Sequence, residues 1–255
     1  FENKKSIRFA LGAIKGVGVA SMNKLLEERN KNGNFMDIID FMTRLQGDTI
    51  NKRQIEKLIQ SGAFDTIYNN RAKLFVNVKN FVEIYGGINS EKNSQSMLFE
   101  DNKLSFDDKN LFIQNIDEWS LGSLLKNELE VIGFYFSNHP ISLYPKNYFK
   151  EKNIIDFEEI YADKDIHKAK LAGSILDIKE RSNKEGRKYA FLTISNEKTQ
   201  FELSIFSNQL SEFRSLIKEG SVLIFHVDIS RDNENLRMII RNIEDLDKVF
   251  SNEKF

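Results

Sequence analysis

The sequence contains no cysteine and only two prolines, Pro140 and Pro145, among its 255 residues. Without cysteine there can be no disulfide and no thiolate zinc site. Histidine is almost as scarce: His139, His167 and His226 lie far apart and show no metal-ligand spacing. A cytoplasmic protein fits this composition. No apolar run is long enough to cross a bilayer and no signal peptide is visible, so a membrane is not among the expected partners. Charge of one sign is also missing. Lys and Arg number 37 against 38 Asp and Glu, a formal net charge of -1. Bulk charge therefore does not announce a nucleic-acid ligand, and any such surface must come from local clustering. Neither a nucleophile elbow nor a Walker loop is present. The adjacent carboxylates Asp107-Asp108 and Glu158-Glu159 would diverge on a strand or helix, and His139 before Pro140 reads as a turn residue. No catalytic residue, metal or cofactor is therefore assigned. The chain opens on Phe1 within what reads as ordered sequence, so a piece of a longer protein is expected.

What is present divides into blocks. Residues 1–86 read as a helical module. Glycines open GVGVASMNKLLEERN, and Met22, Leu25 and Leu26 follow at helical spacing up to a stop at Gly33. Three further helices fit DIIDFMTRL, NKRQIEKLIQSG and NRAKLFVNVKNFVEIYG. Asn51 and Gln54 form a candidate capping box, and Gly62 sits where a helix end favours a left-handed residue. Residues 87–115 turn rich in Asn, Ser and Asp and lose periodicity. Between 90 and 118, seven acidic residues against three lysines leave -4, which reads as a flexible linker. Residues 116–166 read as a helical connector, with a helix over 117–136 broken at Gly133 and both prolines just beyond. Over 167–250 five apolar or alternating stretches are separated by polar turns, and SNQLSEFRSLIKEG reads as a helix after the third. That order is the one of an OB-fold barrel. The expected class is α+β and multidomain: an all-α tandem helix-hairpin-helix module, then a five-stranded barrel.

Several patterns point to ligands. Glycines in Gly12-Ala13-Ile14-Lys15-Gly16-Val17-Gly18 allow a tight turn, and the helix that follows presents unpaired amides suited to a phosphate. The candidate duplex contacts are Lys15, Gly16, Val17, Gly18 and Lys24; a plain glycine-rich turn is the alternative. A second hairpin candidate, Gly47 to Asn51, lacks the second glycine and carries Asp48. It could hold a phosphate through Asn51, Lys52 and Arg53, or simply cap a helix. Within the linker, Gln95-Ser96-Met97-Leu98-Phe99 could dock as a short extended peptide, with Leu98 and Phe99 in a pocket and Gln95 at its rim. Alternatively this apolar island folds back on its own protein. Residues 167–190 carry seven cations against three acids, a local +4. Lys179, Arg181, Lys184, Arg187 and Lys188 beside Tyr189 and Phe191 suit a single strand, with its backbone neutralised and its bases stacked. A solvated hairpin with one aromatic face in the core is the alternative.

Taken in order, ALGAIKGVG, NKRQIEKLIQSGAFD, QSMLF, ELEVIGFYFSNHP and AFLTISNEKTQFELSIF resemble the alpha subunit of bacterial DNA polymerase III, a C-family replicative polymerase. The resemblance covers nearly the whole chain. It implies a tandem helix-hairpin-helix that grips duplex DNA, an internal sliding-clamp motif at Gln95 to Phe99, and an OB domain that meets the single-stranded template. It also implies that the catalytic aspartates, with their Mg2+, lie in an upstream palm domain of the parent polymerase. This segment would then carry no catalytic site itself. Expected partners are duplex and single-stranded DNA, the sliding clamp and the rest of the replicative holoenzyme. The rival classes are an RNA- or tRNA-binding OB module and a protein-interaction scaffold.

Overall fold

A computed structural model describes residues 9–45, 49–85, 114–232 and 235–252. It divides into two compact units, separated in sequence between Gly133 and Phe134. The segment 116–166 is thus shared: its first helix belongs to the first unit and the remainder to the second.

The first unit is helical: α1 Val19–Asn32, α2 Ile38–Arg44, α3 Lys52–Gln60, α4 Arg71–Tyr85 and α5 Leu121–Ile132. Each boundary has a local cause. Asp37 accepts from the Asp40 amide at the start of α2, and Asn51 and Gln54 close a reciprocal capping box on α3. Helix α5 starts at Leu121 rather than 117, because Ser120 accepts from the Ser123 amide as its cap. It stops at Gly133, which takes a left-handed φ of 92°. Glu118, expected inside that helix, instead accepts from the Ala72 amide at 2.9 Å and caps α4. Met22 and Leu25 of α1 are buried, whereas Leu26 is 40% exposed and does not join the core face. Side chains from all five helices, including Ile38, Ile55, Leu58, Leu74 and Val78, form a single apolar core in this unit.

One charged cluster sits against that core. Arg71 forms a two-bond fork with Asp65 (2.9 and 2.6 Å) and donates to Glu128 of α5 at 2.9 Å. Burial works against the charge of Arg71, yet Asp65 and Glu128 outweigh it and its pKa is raised. Space for the guanidinium depends on Gly62, where a Cβ would lie 2.2 Å from Arg71 Nη2.

The second unit is a closed barrel in the order β1-β2-β3-β5-β4, with β1 Lys168–Ser182, β2 Lys188–Ser195, β3 Gln200–Ile205, β4 Val222–Asp232 and β5 Asn235–Asp245. All neighbours are antiparallel except β3 and β5, which run parallel. Helix α8, Ser207–Glu212, follows β3, and α9, Leu246–Asn252, follows β5. This is the OB-fold expected from the strand order. The alternation of β2 and β3 sends Ala190, Leu192, Ile194, Phe201, Leu203 and Ile205 into the barrel core. At Gly173 the strands come so close that a Cβ would stand 2.2 Å from Ile194 Cγ2. Residues ahead of the barrel fold onto it. They comprise a 3-10 turn, Pro140–Leu143, and two short helices, α6 Lys146–Glu151 and α7 Phe157–Ala162. Arg231 at the end of β4 donates to the carbonyls of Ile160, Asp163, Lys164 and Ile166, which secures the end of α7.

His139 caps the 3-10 turn, as its place before Pro140 suggested. Its Nδ1 accepts from the Ile141 amide at 3.2 Å, so Nε2 carries the proton, and Nε2 meets Ser195 Oγ on the barrel at 3.0 Å. Burial lowers its pKa to about 4 from 6.5. Between these values the unfolded chain binds a proton at His139 and the folded chain does not, so stability falls as pH drops through that window. His139→Asn keeps an acceptor for Ile141 but removes the titration. The loss of Tm between about pH 7 and about pH 5 should be smaller in this variant than in the parent. Equal losses would show that His139 does not contribute.

Candidate nucleic-acid interface

The hairpin of the first unit is built from buried anchors and exposed glycines. Ile14 and Val17 point inward at 3% and 0% exposure, the Val17 amide bonds the Ile14 carbonyl, and the Lys15 amide bonds the Val131 carbonyl of α5. Between the anchors, Gly16 and Gly18 adopt φ of 84° and 82°, a region closed to most side chains. Gly18 is the N-cap of α1 and supplies no side-chain cap. The first-turn amides of α1 consequently have no backbone carbonyl to bond among the described residues, as an anion site requires. Val19 beside them is 63% exposed.

The start of α3 is held against this hairpin by Gln54. Its Nε2 donates to the Val17 carbonyl at 2.5 Å and to Ser21 Oγ at 2.9 Å, while its Oε1 accepts from the Asn51 amide at 2.9 Å. Two helix N-termini, those of α1 and α3, are thereby neighbours. Around them Lys15, Lys24 and Arg53 form no ion pair among the described residues, and Lys52 reaches only its own-helix partner Glu56 at 3.5 Å. The Asn51 side chain is committed to capping α3 through the Gln54 amide at 3.0 Å, which favours the structural reading of that residue. Gly47 and Asp48 lie outside the described residues, as do Gln95, Ser96, Met97, Leu98 and Phe99. Sequence reasoning found the Asn51–Gln54 box but not the second use of Gln54, because a capping pattern is local and its contact 37 residues away is not.

On the barrel, the register assembles the other candidate surface. Arg181 stands opposite Tyr189, and Lys179 opposite Phe191, in the β1–β2 pairing. The Arg181 guanidinium lies 5.7 Å from the centre of the Phe191 ring, and Tyr189 meets Phe191 edge-on at 5.6 Å. Both rings are half-buried and alternate with the inward Ala190 and Leu192, so they belong to the outer face. The β1 cations share that face only because the pairing slips between Ile175 and Asp177, leaving Leu176 as an extra residue. Without this bulge the alternation from Ile175 would turn Lys179 and Arg181 inward. No sequence signal marked the bulge. At the hairpin tip, Lys184, Arg187 and Lys188 are exposed, and Arg187 pairs with Glu185 at 3.4 Å.

Comparisons with known proteins agree with both units. Residues 1–74 match the helix-hairpin-helix motif family, and residues 169–246 match the OB-fold nucleic acid binding domain family. Over its whole length the chain is 30% identical to the DNA polymerase III subunit alpha of Rickettsia bellii, of which it covers 22%. With the same subunit of Chlamydia muridarum it shares 29% identity over 96% of this chain and 20% of that protein. With that of Buchnera aphidicola it shares 31% over 94% of this chain and 21% of that protein. The chain therefore spans about a fifth of the length of these relatives. The mitochondrial single-stranded DNA binding protein Rim1 of S. cerevisiae overlaps 31% of the chain at 15% identity with a TM-score of 0.28, too slight to bear on function.

The outer-face position of Phe191 has a direct consequence for stability. Leu192→Ala empties a fully buried site and should cost about 2–5 kcal/mol. Phe191→Ala removes only surface contacts with Tyr189 and Arg181 and should cost about 1 kcal/mol. Urea unfolding of the two variants measures the difference. Equal losses would place Phe191 in the core and remove it from the candidate surface.

Proposed function

We propose that this chain, whose whole length is homologous to a segment of the DNA polymerase III alpha subunit, holds DNA during replication through two separate surfaces. The helical unit would hold the duplex by its phosphates. The observation that carries this reading is the pairing of the N-termini of α1 and α3 by Gln54, with unpaired cations around them. Amides that bond phosphate oxygens carry no sequence information, so this grip suits a polymerase that must travel over any template. The outer face of the barrel would hold a single strand, with Tyr189 and Phe191 stacking on bases and Lys179, Arg181, Lys184, Arg187 and Lys188 neutralising the backbone.

Docking on a ring-shaped sliding clamp through Gln95 to Phe99 completes the reading. It is supported by the sequence pattern and by the likeness to DNA polymerase III alpha subunits. Helix α4 ends at Tyr85 and the chain is held again at Gln114, where Asn77 accepts from the Gln114 amide at 2.8 Å and donates to its carbonyl at 2.9 Å. The peptide is therefore tethered at both ends to the unit assigned to the duplex. A short peptide binds weakly by itself, because ordering it costs free energy. With the clamp threaded on the same duplex, the local concentration is high and a weak contact suffices for long synthesis.

Polymerisation would be an activity of the parent protein, with its metal-binding aspartates upstream of this segment.

Two measurements test the account. Gly18→Glu puts a carboxylate at the proposed phosphate position, and Gly18→Ala reproduces the backbone strain without the charge. Duplex affinity at low salt should fall about tenfold further for the glutamate than for the alanine, equally for unrelated sequences. Equal losses in both variants, or a loss confined to one sequence, would contradict the phosphate grip. Replacing Leu98 and Phe99 together with alanine should abolish clamp binding while Tm and duplex affinity stay unchanged. A fall in Tm with clamp binding retained would show that the pair packs on the chain itself.

A further inference from the structure

The outer face of the barrel is not uniformly attractive to a nucleic acid. Its register forms cross-strand rows. Arg181 pairs with Tyr189 in the first row, and Lys179, Phe191 and Ser204 line up in the second. The third row is Asp177, Thr193 and Glu202. Same-face residues along a strand are separated by about 6.6 Å, so the third row lies one such step beyond the stacking platform. Its two carboxylates differ in what they offer. Asp177 is engaged by Lys179 at 3.5 Å. Glu202 is exposed, on the outward side of β3 between the buried Phe201 and Leu203, and forms no ion pair among the described residues.

We infer that Glu202 is a path-determining residue, a free carboxylate that keeps a bound single strand on the Arg181–Tyr189 and Lys179–Phe191 rows and away from the far end of β2 and β3. This inference rests on the stacking reading of Tyr189 and Phe191. The reason is electrostatic. A strand that continued past Phe191 along β2 would bring its phosphates toward the Glu202 carboxylate, and at a separation of about 7 Å two like charges in water repel by a factor of about two to three in affinity. A strand that crosses the sheet toward the β1–β2 turn meets an excess of cations, because the carboxylates there, Glu180 and Glu185, are paired with Arg214 and Arg187. The carboxylate thus limits the footprint, which keeps the strand oriented across the barrel without any contact to a base.

Fluorescence anisotropy of the 255-residue chain with labelled oligo(dT) and oligo(dC) of about ten nucleotides, within the span of one OB fold, tests this. Glu202→Gln should bind both oligonucleotides about two- to threefold more tightly at low salt. The gain should shrink as added salt screens the charge. Phe191→Ala serves as the control and should weaken binding to both. Unchanged affinity for Glu202→Gln, alongside weakened Phe191→Ala, overturns the inference and leaves the stacking reading standing. A loss confined to oligo(dC) also overturns it, since Glu202 would then be accepting from the cytosine amine. Wild-type binding that does not depend on Phe191 overturns both the stacking reading and the inference that rests on it.

Discussion

Side chains of a β-strand alternate between two faces, and the surface this barrel offers to solvent depends on where that alternation is interrupted. In β1 the interruption is Leu176. Before it, Ile175 faces the core opposite Ile194; after it, Asp177, Lys179 and Arg181 face outward opposite Thr193, Phe191 and Tyr189. One extra residue thus moves two cations onto the aromatic face and leaves Ile178 to pack against the core. A one-residue slip elsewhere would reverse the whole set. The closed barrel and its core fix the register, and the bulge converts that register into a surface.

The helical unit solves a different problem, which is to hold the N-termini of α1 and α3 side by side. Apolar packing supplies the bulk of the stability, but it does not fix orientation. Arg71 does part of this by linking Asp65, after α3, to Glu128 of α5 from the first residue of α4. Removing Arg71 would strand the fully buried Glu128 carboxylate in a low-dielectric setting, whereas Asp65 keeps access to solvent. Gln54 does the rest, with one amide nitrogen shared between the Val17 carbonyl and Ser21. Because that contact is polar and directional, it sets the placement of the hairpin more sharply than Ile14 and Val17 can.

Much of this was legible in the sequence, for physical reasons. Glycines at 16 and 18, the Asn51–Gln54 box and the stop at Gly133 are local signals, and local signals survive in a single sequence. The period-two pattern of β2 and β3 was equally plain and set the barrel order. The extent of α5 was misjudged because Glu118 and Trp119 have acceptable helical propensity, and only a tertiary demand, the capping of α4 by Glu118, takes them out of the helix. Leu26 followed the apolar spacing of α1 yet faces solvent, since the core below α1 accommodates Met22 and Leu25 alone. The Leu176 bulge and the contacts of Gln54 with the first hairpin were invisible because both are pairings between distant segments.

The central claim is that duplex and single strand use different surfaces of one chain. Amide chemical-shift mapping with a duplex and then with a single-stranded oligonucleotide tests it most directly. The account predicts that duplex perturbs Gly16, Gly18, Val19 and Ala20, and that the single strand perturbs Lys179, Arg181, Tyr189 and Phe191, with neither ligand shifting the outer residues His226 and Arg241 of β4 and β5. Perturbation of the same set by both ligands, or shifts centred on β4 and β5, would contradict it.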